Sequence, residues 1–298
     1  MKNATSVKER LKKQSREDGK TMQDKLITFG LERTVYRISI SPYSERFTLK
    51  GGIFLYALFD GEYARATMDI DLLAHQIPND ASEIKKVFRD IFSIVCDDAL
   101  RFDLNTLNVI NITEFKEYHG VNVSIMGYLD RTKVPVSIDI GFGDVIYPER
   151  TKMDFPVLLD MEVPKVYAYS ICSVIAEKFE AFVSLGLVNS RYKDFYDIFV
   201  LADRYNLVGT ELKKAIIETF NHRGTNFDDI VAFEPDFMYD TTRKNRWEVF
   251  VKKKKALLKI DFEDTITIVK ALLMPVVDAI KNNSSFEKQW IKEEKSWK

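Results

Sequence analysis

The segment that decides the fold is "LKGGIFLYALFDGEYARATMDIDLLAH", residues 49–75. Two adjacent glycines, Gly51 and Gly52, come before the apolar run "IFLYALF", and two aspartates, Asp69 and Asp71, stand one residue apart in "TMDIDLLA". The chain has only 12 glycines in 298 residues, so an adjacent pair indicates a requirement of the backbone. We expect a short helix after Gly52, and the alternation of "TMDIDLLA" predicts a strand.

The two aspartates predict a metal site. Side chains two residues apart on a strand point to the same face, so Asp69 and Asp71 project together while Ile70 turns into the core. Their charges repel each other, and a divalent cation such as Mg²⁺ or Mn²⁺ would keep both ionised. Asp139, between two inward-pointing isoleucines of "PVSIDIGFGD", is the candidate third ligand of a two-metal site for phosphoryl or nucleotidyl transfer. The alternatives are a solvated edge strand for the pair and an ordinary polar position for Asp139.

The glycine pair predicts a phosphate site next to these acids. Gly51 and Gly52 have no Cβ atom, so the backbone can approach a phosphate closely, and the helix that follows would point free N–H groups at it. Lys50, Arg65 and Thr67 lie around this segment and are candidates for binding the phosphates of a nucleoside triphosphate. A plain turn is the alternative for the glycines, and a local ion pair is the alternative for Arg65.

The remainder of the N-terminal half predicts helices packed on a sheet. Ser6 and Glu9 predict a capping box that opens a helix, which breaks near Gly19 and resumes to about Phe29. A further helix should begin at Asp80 and carry one apolar stripe. The runs "VNVSIMGYL" and "VPVSIDIGFGDV", joined by the polar "DRTK", predict a β-hairpin.

The composition and the periodicity of the sequence change near residue 150. The segment "YPERTKMDFPVLLDMEVP" is punctuated by prolines, and helical periodicity dominates beyond it. We therefore predict an α+β protein with one domain at residues 1–150 and a helical domain at residues 151–298. Helices of the second domain are expected near 170–185, 192–205, 210–221, 243–258 and 264–281.

The composition excludes several classes of protein. With 46% hydrophobic residues the chain can bury a core, and its 44 basic and 45 acidic residues leave no global field to recruit a partner. Cys96 and Cys172 lie in apolar periodic segments and predict core thiols in a reducing compartment. The charged N-terminus does not resemble a signal peptide, and no apolar run is long enough for a bilayer. We expect a cytoplasmic protein without a membrane partner.

One lysine of the helical half lies where apolar residues are expected. Lys178 is three and four residues from apolar neighbours in "ICSVIAEKFEAFVSL", so its side chain faces inward or lies at the edge of the apolar stripe. Its ammonium group would either extend to water or meet an anion, and we favour a substrate triphosphate or an active-site carboxylate. Asp194 and Asp197 share a helix face, where a surface ion pair of Asp197 with Lys193 is the alternative to a place in the site.

The run "RKNRWEVFVKKKKALLK", residues 243–259, has eight basic residues and one acidic residue. A solvated helix face would explain it. The alternative is an RNA contact in which Trp247 and Phe250 stack on bases and the basic groups bind phosphates.

The segments "KGG", "RATMDIDL", "SIDIGFGD", "AEKFEAF" and "RYKDFYDIFVL" together resemble the nucleotidyltransferase toxin family that includes the AbiEii, AbiGii and MenT toxins. The resemblance extends over about residues 45–205, with a looser match in the N-terminal helices. It implies a polymerase-β-like nucleotidyltransferase core, with a mixed β-sheet flanked by helices, and a helical C-terminal domain that completes the active-site cleft.

The resemblance also implies roles for individual residues. By motif, Gly51 and Gly52 match the phosphate-binding turn, Asp69 and Asp71 the metal ligands, Lys178 the motif lysine, and Asp194 with Asp197 the acidic pair after it. One of that pair would orient Lys178 or act as a base, and Asp197 is favoured. Many nucleotidyltransferases have Gly-Ser at the turn and a shorter gap to the aspartates; this chain has Gly-Gly and therefore lacks the contact of the serine with a phosphate.

The activity that the resemblance implies is Mg²⁺-dependent transfer of a nucleotide from a nucleoside triphosphate to a hydroxyl group. In the MenT branch the acceptor is the 3′ end of tRNA, which would stop translation, and toxins of this kind act in toxin–antitoxin or phage-defence systems with a cognate antitoxin. Two alternatives stay open. The acceptor could be a protein or a small molecule, or the chain could bind nucleotides without catalysis.

Overall fold

The structure is a computed structural model that describes residues 3–62, 68–113, 119–253, 258 and 260–298. The chain divides into two compact units. The first unit comprises Met1–Gly143 and Thr151–Tyr169, and the second comprises Asp144–Arg150 and Ser170–Lys298. The predicted α+β class, with a mixed sheet followed by a helical C-terminal region, is confirmed. The division differs from the boundary predicted at residue 150, since residues 151–169 return to the first unit and supply two strands of its sheet.

Two helices open the first unit, α1 (Ala4–Asp18) and α2 (Met22–Ile40). The predicted break near Gly19 is confirmed, because this glycine ends α1 in the left-handed region with φ 67°. The predicted capping box of Ser6 and Glu9 is wrong: the side chain of Asn3 caps α1 by accepting a hydrogen bond from the N–H of Thr5.

Helix α2 is longer than its predicted end near Phe29. It begins with a capping box formed by Thr21 and Asp24 and continues to Ile40. Buried charged residues lie within its second half, and they interrupt the apolar pattern from which the end was predicted. The clearest example is Arg37, whose guanidinium group forms a two-pronged ion pair with the buried Asp98.

A seven-stranded mixed sheet forms the centre of the first unit, in the order β3-β4-β5-β2-β1-β7-β6. Strand β2 runs antiparallel to β1 and parallel to β5, while β4 and β5 form the predicted hairpin. The helix predicted to start at Asp80 is also confirmed. The elements in chain order are β1 (Phe47–Lys50), α3 (Gly51–Leu58), β2 (Ile70–Ala74), α4 (Ala81–Ser93), β3 (Leu100–Thr113), β4 (His119–Leu129), β5 (Thr132–Phe142), β6 (Thr151–Asp154) and β7 (Lys165–Ala168).

Strands β4 and β5 have one buried face and one partly exposed face. On β5, Val134, Val136, Ile138 and Ile140 are buried, while the residues between them are exposed or half-buried. Helix α2 packs closely on the buried face, since a Cβ atom at Gly30 would lie 2.5 Å from Cγ1 of Val134. The polar positions of both strands are therefore left on the other face.

The second unit is mainly helical. A small three-stranded sheet has the order β10-β9-β8, and stacked aromatic rings such as Phe182 and Phe195, with centroids 4.5 Å apart, fill the core. None of the helices within the described residues is long and apolar enough to cross a bilayer. The elements are α5 (Ile171–Leu185), α6 (Tyr192–Arg204), β8 (Leu207–Val208), α7 (Gly209–Arg223), α8 (Pro235–Met238), α9 (Thr241–Lys253), α10 (Phe262–Lys281), β9 (Gln289–Ile291) and β10 (Ser296–Trp297), and the five longer helices lie where they were predicted.

Candidate active site

Pairing between strands aligns the predicted site residues in one row across the sheet of the first unit. Asp71 on β2 is paired with Asp139 on the neighbouring β5 and with Lys50 on β1. On the other side, Asp139 is paired with Asn122 on β4. Paired residues of adjacent strands project to the same face, so the row brings a lysine, two aspartates and an asparagine together.

Three carboxylates converge in this row. Asp69 lies immediately before β2, and one oxygen each from Asp69, Asp71 and Asp139 lies within 4.8 Å of the other two. The expectation that Asp139 joins the pair is confirmed as a matter of geometry, because β5 is the direct neighbour of β2. The donor set consists of hard oxygen ligands, which Mg²⁺ and Mn²⁺ prefer.

The electrostatics of the three carboxylates favour binding of a cation. The pKa of Asp71 is raised to about 6, mainly by burial and next by the charge of Asp69, with a smaller contribution from Asp139. Lys50 and the N–H of Gly52 oppose this rise without cancelling it. Within the described residues the cluster is therefore short of positive charge, which a divalent ion would supply. The residues present fit a metal site.

The glycine turn lies against the same cluster. Gly51 has φ +59°, and a Cβ atom at this position would lie 2.1 Å from Oδ2 of Asp71. Only glycine meets both conditions. Gly52, the second residue of α3, donates its N–H to Oδ2 of Asp71 over 3.1 Å. The predicted turn and the predicted acids therefore open onto one site, where the amide of Gly52 binds an acid rather than pointing freely outward.

Lys50 and Asn122 occupy opposite ends of the row. The ammonium group of Lys50 lies 5.4 Å from the centroid of the Tyr169 ring, on the side of the glycine turn. Asn122 donates from Nδ2 to Oδ1 of Asp139 over 2.7 Å and to Oγ of Ser137 over 2.8 Å, so it fixes the orientation of the third carboxylate. Sequence reasoning missed Asn122; the polar residues of "VNVSIMGYL" on the same face as Asp139 were the available signal.

The second unit holds the other predicted residues in a separate cluster. The ammonium group of Lys178 lies 3.1 Å from Oδ1 of Asp194 and 2.6 Å from Oδ2 of Asp197. Both carboxylates are fully buried and the lysine nearly so, so neither a surface ion pair nor a lysine extended into water describes them. Arg191 adds a second cation, with Nε 2.7 Å from Oδ2 of Asp194. The residues from the two motifs do come together, as α5 packs on α6.

Three further predicted contacts involve Arg65, Thr67 and Trp247. Arg65 and Thr67 lie outside the described residues. Trp247 of the basic run is 2% exposed and donates its indole N–H to the carbonyl of Ile260. Its ring packs against Phe250, which makes an edge-to-face contact with Tyr196. The alternative in which Trp247 stacks on RNA bases is therefore excluded, because the indole ring is buried in the core.

Two comparisons found known proteins that are similar to the chain. Two crystal structures of Helicobacter pylori proteins resemble the chain at 15% sequence identity. The match to JHP933 has a TM-score of 0.46 and covers 85% of this chain and 92% of JHP933. The match to a candidate nucleotidyltransferase has a TM-score of 0.47 and covers 86% of this chain and 96% of that protein. No curated protein sequence matches the chain. The family model described as nucleotidyl transferase AbiEii toxin, type IV toxin–antitoxin system, matches residues 33–267, a span that includes the carboxylate cluster, the glycine turn and the Lys178 cluster. The chain belongs to the AbiEii nucleotidyltransferase toxin family.

Proposed function

We propose that the protein transfers a nucleotide from a nucleoside triphosphate to the 3′ hydroxyl group of an RNA, with tRNA as the acceptor. The observation that carries the proposal is the convergence of Asp69, Asp71 and Asp139 beside a helix that starts at a glycine turn. Carboxylates of this kind hold the divalent ions of phosphoryl-transfer sites, and a helix start next to them offers a place for the donor phosphates. Membership in the toxin family supports transfer as the reaction.

The acids hold the metal in this proposal. Asp69, Asp71 and Asp139 are the ligands, and Asn122 keeps Asp139 in position through its 2.7 Å hydrogen bond. A bound Mg²⁺ or Mn²⁺ ion would supply positive charge to the oxygens of the attacking and leaving groups. Asp71 must be ionised to bind the metal. Because its pKa is raised to about 6, binding of the metal should release a proton at pH values near 6.

The reaction is a displacement at the α-phosphorus of the donor. The acceptor hydroxyl oxygen forms a bond to this phosphorus, and the bond from phosphorus to the oxygen that bridges to the β-phosphate breaks. Pyrophosphate leaves with the electron pair of that bond, and the hydroxyl proton passes to water. Because the attacking and leaving oxygens lie roughly in line, the acceptor must reach the α-phosphorus from the side opposite the pyrophosphate.

Cationic and N–H groups bind the donor in this proposal. Lys50 and the glycine turn at Gly51 lie beside Asp71, where the donor phosphates would bind, while the N–H of Gly52 stays hydrogen-bonded to Asp71. The family resemblance implies that Lys178 also takes part in the reaction. Asp197 and Asp194 orient this lysine, a role that their short contacts with its ammonium group support better than proton abstraction by Asp197.

The biological consequence would be growth arrest. Addition of a nucleotide to the end of tRNA blocks aminoacylation and stops translation, which suits a toxin that a cognate antitoxin restrains and that can serve in phage defence. The family's description as part of a type IV toxin–antitoxin system supports the existence of such a partner. We place the reaction in the cytoplasm, where nucleoside triphosphates and tRNA occur.

The test is incubation of the protein with each α-labelled nucleoside triphosphate, Mg²⁺, and separate fractions of total RNA and total protein. We expect label in tRNA with one preferred nucleotide, and no label with the Asp71→Asn variant, which keeps the size of the side chain. Label in the protein fraction alone would refute RNA as the acceptor. Triphosphate binding without release of pyrophosphate would refute catalysis.

A further inference from the structure

One face of β4 and β5 is partly exposed and carries polar and aromatic side chains. We propose that the single-stranded 3′ end of the acceptor RNA lies along this face, from Asp139 at the metal site to Tyr128 and Lys133 at the far end. The inference rests on the proposed function and adds the location and the chemistry of acceptor binding to it.

The direction of approach follows from the strand order. The glycine turn and Lys50 lie on the β1 side of Asp71, so the donor phosphates occupy that side. Asp139 and Asn122 lie on the other side, on β5 and β4. Because attack must come from the side opposite the leaving pyrophosphate, the acceptor reaches the acids across β5 and β4.

A cavity of about 480 Å³ lies along this path. Within the described residues, β2 pairs with β5 only from Ile138 onward, and the cavity lies beside the preceding part of β5. Its volume suits one or two nucleotide bases. Its wall includes Met68, Ser124, Met126, Tyr128, Lys133 and Ser137, which combine soft apolar surfaces with hydroxyl groups and a cation.

The chemistry of the face fits single-stranded RNA. The Tyr128 ring and the Met126 thioether offer surfaces on which bases can stack, and Ser124 and Ser137 offer hydroxyl groups that can hydrogen-bond to a ribose 2′-OH. Strand pairing places Ser124 opposite Ser137, one step along the face from Asn122 and Asp139. The groups nearest the acids are thus polar, and the aromatic ring lies further out.

Positive charge lies at the far end of the face. Lys133 is paired with Tyr128, and the guanidinium group of Arg101 lies 5.4 Å from the centroid of the same ring. Among the described residues, no carboxylate forms an ion pair with Lys133 or Arg101. Asp103 is the acid on this part of the face, and its carboxylate accepts from the N–H of Asn105. Two cations beside one aromatic ring are suited to RNA phosphates next to a stacked base.

The length of the track is consistent with a short unpaired end. Lys133 and Asp139 are six residues apart on one strand, which corresponds to about 20 Å at about 3.3 Å per residue. A single strand of a few nucleotides spans this length, whereas a duplex would not enter the cavity. The face therefore selects an RNA with a free single-stranded 3′ end.

Binding of a short 5′-fluorescein-labelled single-stranded RNA, followed by anisotropy with the full-length protein, tests the proposal. Lys133→Glu should weaken binding at least tenfold and lower the slope of log Kd against log salt by about one, because one phosphate contact is lost. Tyr128→Leu should weaken binding with an unchanged salt slope. The matched control is Lys152→Glu, on edge strand β6, where the lysine also lies beside a tyrosine, Tyr167, and where we expect less than a twofold change.

Transfer kinetics separate this proposal from the proposed function. With tRNA as acceptor, Lys133→Glu should raise the KM for RNA at least tenfold and leave the KM for the nucleoside triphosphate unchanged. If Lys133→Glu and Tyr128→Leu both label RNA and bind it as the wild type does, the acceptor lies elsewhere while the proposed function stands. If the wild-type protein neither binds nor labels RNA, both proposals fall.

Discussion

Replacing Gly51 with alanine should disable the metal site without unfolding the protein. Alanine at this position must adopt φ near +59°, and its Cβ atom would lie 2.1 Å from Oδ2 and 2.5 Å from Cγ of Asp71. Carbon and oxygen atoms in ordinary contact are more than 3 Å apart. The carboxylate of Asp71 therefore has to move by about 1 Å or more, away from Asp69 and Asp139.

The magnitude can be worked out from these contacts. The left-handed conformation costs an alanine about 1 to 2 kcal/mol. Displacement of Asp71 also breaks its 3.1 Å bond from the N–H of Gly52, and a hydrogen bond to a charged group contributes about 1.5 to 3 kcal/mol. The free energy of unfolding should thus fall by about 2.5 to 5 kcal/mol. A misplacement of about 1 Å at a reacting centre lowers the rate about 100-fold, so transfer should fall by at least that factor.

A matched variant separates the backbone effect from the effect on Asp71. Gly19 has φ +67°, and a Cβ atom there would meet no atom within 4 Å, so Gly19→Ala carries the backbone cost alone. Urea unfolding measures stability, calorimetry measures Mn²⁺ binding, and labelled nucleotide measures transfer. We expect Gly19→Ala to be destabilised by about 1 to 2 kcal/mol with normal Mn²⁺ binding. If Gly51→Ala binds Mn²⁺ and transfers nucleotide as Gly19→Ala does, the turn does not support the metal site.

Three further predictions concern the acids and their partners. The pKa of Asp71 is raised to about 6 in the folded protein, mainly by burial, so ionisation of this residue destabilises the metal-free fold as the pH rises through that value. In urea unfolding with EDTA, the stability that Asp71→Asn gains over the wild type should therefore grow by about 2 to 3 kcal/mol from pH 4 to pH 8. A difference in stability that does not depend on pH would contradict the raised pKa. Lys178→Met should lower the free energy of unfolding by about 3 to 5 kcal/mol, because it leaves the carboxylates of Asp194 and Asp197 buried without their ammonium partner. Changing both aspartates to Asn in the Lys178→Met variant should restore most of the lost stability. Asn122→Ala should weaken Mn²⁺ binding by about 10- to 100-fold in calorimetry while the circular dichroism spectrum stays the same; unchanged affinity would mean that Asp139 needs no orienting partner.

Short-range patterns were enough to predict the direction in which the three carboxylates point. The alternation around Asp69 and Asp71 predicted their common face, and the isoleucines beside Asp139 predicted that its side chain points away from the core. Their convergence depended on β2 and β5 being neighbours, which the sequence could suggest only through the family resemblance. The role of Gly51 required a left-handed turn next to an acid, a relation between residues that are distant in the chain.

Features that depend on tertiary contacts were not predicted from the sequence. Strand β3 was not predicted, because a register shift between Asp103 and Asn108 breaks its alternation. The end of α2 was placed too early, because buried charges such as Arg37 are satisfied by a distant partner. The sequence left Trp247 open between a solvated basic helix and an RNA contact, whereas its indole ring completes an aromatic core. In each case the deciding partner lies far away in sequence.

The central claim is that Asp69, Asp71 and Asp139 together hold the divalent ions of nucleotide transfer. The most direct measurement is anomalous diffraction from crystals grown with Mn²⁺ and a non-hydrolysable nucleoside triphosphate. We predict an anomalous peak within about 2.0 to 2.3 Å of a carboxylate oxygen of Asp71 and of Asp139, with a second ligand distance of the same size to a donor phosphate. A triphosphate bound with its Mn²⁺ away from these three carboxylates would contradict the account.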